Sequence, residues 1–246
     1  MATPSIKVLA NADELLRVLG EGGPQTIADV ARAMSIPRPS VYRLMDSMVH
    51  SGWVTSDDEG RVRLSADILR LGERAKDQNP LIRASEEPLR QLRDSTRQTV
   101  YLCIRRDAEI VCLDRLQGLS VGLLELVPGG TLPPHAGATA RAIAAFDDTF
   151  AVPPDALTPL TPRTLTSPEE VSADHQAIRD RGYSISDEDV TVGVAALGAP
   201  VWADTGRLVG AISVAGMRED ILREPEVLAA RLQDAAAAIT GNLAVG

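Results

Sequence analysis

Residues 26–48 read TIADVARAMSIPRPSVYRLMDSM, and this stretch decides the fold of the first part of the chain. Thr26 is a favourable helix N-cap, and Asp29 would lie near the positive end of the helix that follows. Apolar residues recur at helical spacing on both sides of Ser35-Ile36-Pro37, which predicts two helices joined by a tight turn. Pro39 suits the first turn of the second helix. The pattern indicates a helix-turn-helix.

The flanking segments extend this unit to a winged helix-turn-helix. Helical spacing predicts an earlier helix over residues 5–19, before a glycine-rich stretch. After the second helix, the extended runs 53–56 and 61–64 surround a glycine-containing acidic turn, which predicts a β-hairpin. A linker helix is predicted over residues 65–78. In a winged helix-turn-helix, the second helix of the helix-turn-helix enters the DNA major groove.

The candidate DNA contacts are the positions of the second helix and the wing that lie outside the predicted core. They are Arg38, Pro39, Ser40, Tyr42, Arg43, Ser47, Arg61 and Arg63. An arginine can bridge guanine O6 and N7 or bind a phosphate, and hydroxyl groups can contact phosphates or base edges. Arg61 and Arg63 alternate with apolar residues, so both would point to one side, toward a phosphate backbone. The alternative is a winged helix that binds proteins, with these arginines as ordinary solvated surface.

The second half of the sequence alternates between strand and helix patterns. Extended segments are predicted over 99–104 with 110–113, 121–127, and 197–202 with 208–214. Helices are predicted over 84–95, 138–146, from Ser167-Pro168-Glu169-Glu170 to about Gly182, and 226–242. This mixture indicates an α+β fold with antiparallel strands and helices on the faces of the sheet.

Charge and composition limit the class of protein. The chain has 246 residues, of which 44% are hydrophobic, and a net charge of −9, which excludes a wholly basic nucleic-acid coat. The first 78 residues hold 10 of the 25 basic and 11 of the 34 acidic side chains, so the remainder carries a net charge of −8. A DNA contact is therefore more tolerable in the first part than in the remainder. No signal peptide or membrane-spanning run is present, which predicts a cytoplasmic protein with no membrane partner.

The order and spacing of several short motifs resemble the IclR family of bacterial transcription regulators. The matching segments are 26–31, 36–44, 51–54, 132–136, 161–166, 181–183, 187–188, 193–194, 199–201 and 211–216. The resemblance implies a GAF-like effector-binding domain, dimerisation through the N-terminal domains and often a tetramer. It also implies binding to a partly palindromic operator, as a repressor, an activator or both.

We therefore interpret the chain as a regulator in three parts. Residues 1–64 form the winged helix-turn-helix, residues 65–80 the linker helix, and residues 81–246 the effector-binding domain. The expected partners are double-stranded operator DNA, a small-molecule effector and a second copy of the chain, or a dimer of dimers. Repression is the favoured mode of action. No catalytic residue, cofactor or metal ligand is expected.

The resemblance also places the effector pocket. In the family, the effector lies against the sheet near the start of the helix that follows the His-Ala segment, where the helix N-terminus favours an anion. The matching residues are Leu124, Ala138, Thr139, Ala140, Ser186, Val194, Ala196 and Ser213. Alternatively, the small residues among them only pack the helix onto the sheet.

The chain departs from the family pattern in ways that make this pocket less polar. Ser186 stands where an acidic residue is frequent, Ala196 where a cysteine is, and Ala215 where a serine is. Ala140-Arg141 replaces a Gly-Lys pair. These departures favour a larger or more apolar ligand, which could be aromatic or still carboxylated.

Three features of the sequence suggest chemistry other than DNA and effector binding. Gly118–Gly122 spells G-x-S-x-G, the nucleophile-elbow motif of α/β-hydrolases. That motif needs a helix after Ser120, whereas the sequence there predicts a strand and a turn. The candidate partner His175 falls inside a predicted helix. Cys103 and Cys112 could face each other across a hairpin, either as buried thiols or as a redox pair. His135 is expected to fix a loop by hydrogen bonding. The alternative function is an interaction module without DNA affinity, fused to a GAF-like small-molecule-binding or redox domain.

Overall fold

The computed structural model describes residues 6–119, 124, 126–150 and 152–245 of the chain. The chain divides into two compact units, Met1–Gln78 and Asn79–Gly246. Each unit has its own buried apolar core. Among the described residues, no helix is both long enough and apolar enough to cross a membrane.

The described part of the first unit contains four helices and one two-stranded hairpin. Its elements are α1 (Lys7–Gly22), α2 (Ile27–Ala33), α3 (Arg38–His50), β1 (Val54–Ser56), β2 (Val62–Leu64) and α4 (Ala66–Gln78). The Thr26 side chain accepts a hydrogen bond from the Asp29 amide at 3.3 Å, which confirms Thr26 as the cap of α2. Ser35 adopts a φ of 52° in the turn before α3. The predicted helix-turn-helix and hairpin are both confirmed.

Helix α1 is longer than the sequence pattern indicated. It continues through Gly20 to Gly22, and Gly23 ends it with a φ of 65° and an amide that donates to the Leu19 carbonyl at 3.2 Å. The glycine-rich stretch therefore ends the helix as predicted, but at Gly22 rather than directly after Leu19. One glycine inside a helix costs only about 1 kcal/mol relative to alanine, so Gly20 alone does not stop it.

The second unit is built around a six-stranded sheet. Its strands are β3 (Thr99–Arg106), β4 (Glu109–Leu116), β5 (Thr131–Leu132), β6 (Ser184–Asp187), β7 (Val194–Trp202) and β8 (Leu208–Met217). Their order is β5-β4-β3-β8-β7-β6, and every neighbouring pair is antiparallel. The helices are α5 (Pro80–Thr96), α6 (Ala138–Phe146), α7 (Pro168–Arg181), α8 (Arg218–Ile221) and α9 (Pro225–Val245). The predicted α+β class with an antiparallel sheet is confirmed.

Helices cover both faces of this sheet, and alternate strand residues face each layer. On β3, Val100 and Leu102 belong to the core that includes residues of α5 and α9. Their neighbours Tyr101 and Cys103 belong to a separate core with residues of α6. This alternation follows from the two-residue repeat of a β-strand. The α6 layer contains the cavity described below.

Local signals located most elements of the second unit, with three corrections. Helix α5 begins at Pro80 rather than at residue 84, because the Asn79 side chain accepts hydrogen bonds from the first amides of the helix. A strand over 121–127 was predicted. Its described residues, Leu124, Leu126 and Val127, lie outside any strand, and the rest lie outside the described residues. The short strands β5 and β6 were not predicted.

The start of α6 is held against the sheet by a glycine and a serine. A Cβ atom added to Gly198 of β7 would lie 2.5 Å from the Ala138 carbonyl oxygen, so only glycine fits there. The Ser184 hydroxyl of β6 donates to the same oxygen at 2.6 Å. These two contacts therefore fix the distance between the first turn of α6 and the strands.

We predict that Gly198→Ala lowers the free energy of unfolding of this unit by about 1–3 kcal/mol, because the added methyl group forces α6 away from the sheet. Gly241→Ala is the matched control, since Gly241 lies within α9 and an added Cβ meets nothing within 4 Å. It should be neutral or slightly stabilising. Calorimetric unfolding of both variants measures the difference. Equal unfolding temperatures would contradict the proposed packing.

Candidate functional site

The exposed face of α3 carries the residues predicted to contact DNA. Arg38, Pro39, Tyr42, Arg43 and Ser47 are exposed, and Ser40 is half-buried. The opposite face is buried and consists of Val41, Leu44, Met45 and Met48. The helix is therefore anchored along one side and presents its polar side to solvent.

The two arginines of α3 are free to bind an anion. Neither Arg38 nor Arg43 forms an ion pair with any carboxylate in the described part of the chain. The side-chain hydrogen bonds here are local: the Ser47 hydroxyl donates to the Arg43 carbonyl at 3.1 Å, and the Ser51 hydroxyl donates to the Ser47 carbonyl at 2.9 Å. Because an unpaired guanidinium keeps all its donors available, both side chains can reach phosphates or base edges.

The two arginines of the wing differ from each other. Arg61 lies within 2.9 Å of an Asp57 oxygen and 3.0 Å of a Glu59 oxygen. Arg63 is exposed on β2 next to the buried Val62, and it has no carboxylate partner among the residues described. The acidic turn of the hairpin therefore neutralises Arg61 and leaves Arg63 available.

A cavity of about 470 Å³ lies between the sheet and the start of α6. The described residues that line it are Tyr101, Leu124, Leu126, Val127, Gly130, Thr131, Leu132, Pro133, Gly137, Ala138, Thr139, Leu160, Ser186, Val190, Thr191, Val194, Ala196, Ser213 and Ala215. Seven of the eight residues proposed from the family resemblance are among them. Ala140 is not, and it is fully buried in the core between α6 and the sheet.

Small side chains on neighbouring strands form the floor of the cavity. Ala196 is paired with Ser186 on one side and with Ala215 on the other. In the adjacent row, Tyr101 of β3 is directly opposite Ser213 of β8. Because directly opposite residues of antiparallel strands share a face, their hydroxyl groups both project toward α6.

Tyr101 is a polar lining residue that was not predicted from the sequence, as are Thr131 and Thr191. The Tyr101 side chain is 4% exposed, and its hydroxyl has no hydrogen-bond partner in the described part of the chain. Burial raises its pKa to about 12, so the hydroxyl stays protonated and can donate. The signal that could have identified it is the alternation along β3, combined with its pairing to Ser213.

A buried ionic network supports the wall of the cavity at the start of α6. The Arg141 guanidinium donates to Asp174 at 2.8 Å and to Asp189 at 2.9 Å. Burial favours a lower pKa for Arg141, but the two carboxylates outweigh it and raise the pKa, so the side chain stays charged. Asp189 also accepts hydrogen bonds from the Ser186 hydroxyl and, at 3.2 Å, from the Gly137 amide. The network therefore orients Ser186 at the cavity.

We predict that Arg141→Met destabilises the second unit by about 3–5 kcal/mol, because it leaves two largely buried carboxylates without their cation. Arg223→Met removes a guanidinium from an exposed pair with Asp220 and should cost less than about 1 kcal/mol. Urea unfolding of both variants tests this. A comparable loss in the two would show that the network does not support the cavity wall.

The described residues among those that suggested other chemistry are Cys103, Cys112, His135 and His175. Cys103 and Cys112 are directly paired across the hairpin, both are fully buried and both are free thiols. A hydrogen bond with Cys103 and burial raise the pKa of Cys112, which lowers its reactivity. The His135 ring contacts the Thr158 carbonyl at 2.9 Å, which confirms that it fixes a loop. His175 lies inside α7 as predicted, and Ser120 lies outside the described residues.

Comparisons with known proteins agree with this architecture. Residues 8–58 match the model of the IclR helix-turn-helix domain, and residues 74–241 match that of the bacterial transcriptional regulator IclR C-terminal domain. The chain therefore belongs to the IclR family of transcriptional regulators, which have a helix-turn-helix DNA-binding domain and a C-terminal effector-binding domain.

Individual relatives cover most of the chain at low identity. The transcriptional repressor IclR of Escherichia coli is 26% identical over 87% of this chain and 81% of its own length. Among solved structures, an IclR transcriptional regulator from Alicyclobacillus acidocaldarius has a TM-score of 0.87 at 22% identity, covering 98% of this chain and 100% of its own. An IclR homolog from Microbacterium hydrocarbonoxydans, complexed with 4-hydroxybenzoate, has a TM-score of 0.81 at 20% identity, covering 96% and 98%.

Proposed function

We propose that this chain represses transcription by binding operator DNA through α3, and that a small molecule in the cavity beneath α6 controls this binding. The observation that carries the proposal is the free polar face of α3, whose arginines have no carboxylate partner in the described part of the chain. Residues Arg38, Ser40, Tyr42, Arg43 and Ser47 would contact the major groove and its phosphates. Pro39 would start the helix at the groove.

We predict that replacing both Arg38 and Arg43 by alanine weakens binding to operator DNA at least about 30-fold, since each lost base or phosphate contact costs about 1–3 kcal/mol. The matched control replaces Arg90 and Arg223, two exposed arginines of the second unit, and removes the same charge. A gel-shift titration against the upstream intergenic DNA, at fixed salt and with random competitor, measures both. Unchanged binding by the α3 variant would rule out this face as the DNA contact.

We also predict that the two wing arginines contribute unequally. Arg63→Ala should reduce the slope of log affinity against log salt concentration by about 1, because one phosphate contact is lost. Arg61→Ala should change the slope less, because Asp57 and Glu59 already neutralise Arg61. Titrations at four salt concentrations distinguish the two variants. A larger effect of Arg61→Ala would mean that DNA displaces its acidic partners.

The effector is proposed to bind where seven of the predicted residues line the cavity. These are Leu124, Ala138, Thr139, Ser186, Val194, Ala196 and Ser213. An effector changes DNA affinity only if it binds one arrangement of the protein more tightly than another. We propose that α4, within the linker at residues 65–80, transmits that difference between the parts 1–64 and 81–246.

A homodimer is proposed from the apolar surface of the first unit. Ile6, Val8 and Leu9 at the start of α1 are exposed, as are Leu69 and Leu71 of α4. Helix α4 has no buried residue at all within the described chain. A helix with an apolar face and no buried residue gains stability from a partner, and a second copy supplies two-fold symmetry for a partly palindromic site. Pairing of two such dimers would give a tetramer.

We predict that Leu9→Glu combined with Leu69→Glu reduces the oligomeric state of the protein, from dimer to monomer or from tetramer to dimer. Charged side chains at a buried apolar contact are unfavourable. Val227→Glu replaces another exposed apolar residue, on α9, and should leave the assembly unchanged. Sedimentation velocity measures the mass of each. A monomeric parent protein would refute the dimer.

A further inference from the structure

The floor of the cavity contains a hydrogen-bond donor that the protein itself leaves unused. Tyr101 is almost fully buried, lines the cavity, and has a hydroxyl group without a partner among the described residues. Most buried polar atoms in proteins are hydrogen-bonded, and an exception in a cavity indicates a group that a ligand satisfies. Ser213, directly opposite on β8, places a second hydroxyl beside it.

No charged side chain lines the cavity in the described part of the chain. Arg115 is paired with Tyr101 on β4, but it does not line the cavity: its guanidinium carbon lies 5.8 Å from the centre of the tyrosine ring, and its Nη1 donates to the Leu126 carbonyl at 3.1 Å, while its buried Nε has no partner among the described residues. An anionic ligand would therefore enter a largely apolar space without a cation at its wall, which is unfavourable.

A carboxylate of the protein itself already lies at the start of α6. The Asp189 carboxylate accepts a hydrogen bond from the Gly137 amide that caps this helix. Asp174, Arg141 and Asp189 together carry one net negative charge behind the wall of the cavity. A second anion at this helix end would be repelled by that charge, whereas an uncharged ligand would not.

The other residues that line the cavity favour a ligand that is mainly apolar. Leu126, Leu132, Val190 and Val194 line the cavity, and the exposed Leu160 lies among the lining residues as well. The volume of about 470 Å³ is within the range of sites for drug-sized ligands. Such a space accommodates an aromatic ring or a short aliphatic chain.

We infer that the cavity binds an uncharged, mainly apolar molecule whose carbonyl or hydroxyl oxygen accepts a hydrogen bond from Tyr101, with Ser213 as the neighbouring contact. This inference rests on the proposed function for the identity of the pocket, but it concerns only ligand binding. It can therefore be tested on the full chain without DNA, and failure to bind DNA would leave it unaffected.

The test compares matched ligands that differ in charge. The probes are 4-hydroxybenzoate, its amide and its methyl ester, titrated calorimetrically into the full chain at pH 7. The acid carries a negative charge at this pH and the other two are neutral. We expect at least one neutral probe to bind at least about tenfold more tightly than the acid, because only the acid has to be desolvated as an ion.

The variant that tests the anchor is Tyr101→Phe, which removes only the hydroxyl group. It should weaken binding of the neutral probe about tenfold, as expected for one lost hydrogen bond to a ligand. Tyr183→Phe is the matched control, because Tyr183 packs against the other face of the sheet and should leave affinity unchanged. Ser213→Ala serves as the second variant and should weaken binding several-fold. Thermal unfolding of each variant shows whether it is folded.

Three results would overturn the inference. Tighter binding of 4-hydroxybenzoate than of both neutral probes would indicate that a cation such as Arg115 turns toward the ligand. Unchanged affinity in Tyr101→Phe, or an equal loss in Tyr101→Phe and Tyr183→Phe, would remove Tyr101 as the anchor. No binding of any probe at millimolar concentration would exclude this ligand class.

Discussion

The close contact between the first turn of α6 and the sheet is the constraint on which the second unit depends. Gly198 leaves no room for a Cβ atom beneath the Ala138 carbonyl, and the Ser184 hydroxyl binds that oxygen from the side. Farther along the strands, small side chains such as Ala196 and Ala215 leave a space that α6 does not fill. The cavity therefore follows from close packing at one point and small residues next to it.

The ionic network extends this constraint from packing to electrostatics. Asp189 binds the cap amide of α6, the Arg141 side chain of the same helix and the Ser186 hydroxyl at the cavity. A change in the position of α6 would disturb all three contacts at once. The same carboxylate makes the helix end less attractive to a second anion.

The sequence predicted those parts of the fold whose signals are local. The Thr26 cap, the Ser167 capping box and the hairpin around Gly206 each depend on a few adjacent residues, and the structure confirms them. The role of Tyr101 depends on strand register, and the role of Asp189 depends on a contact with Gly137, 52 residues away in the sequence. Neither role could be predicted from local sequence patterns. Ala140 does not line the cavity, because a motif match does not specify which buried side chains of α6 reach it.

Selection of DNA from a random duplex library by the full chain tests whether a symmetric pair of α3 helices recognises operator DNA. We expect enrichment of an inverted repeat whose half-sites are separated by about one helical turn or a multiple of it, as such a pair requires. Recovery of sequences no different from the starting library, with folded protein at low salt, would contradict this expectation. The free arginines of α3 would then be ordinary surface residues.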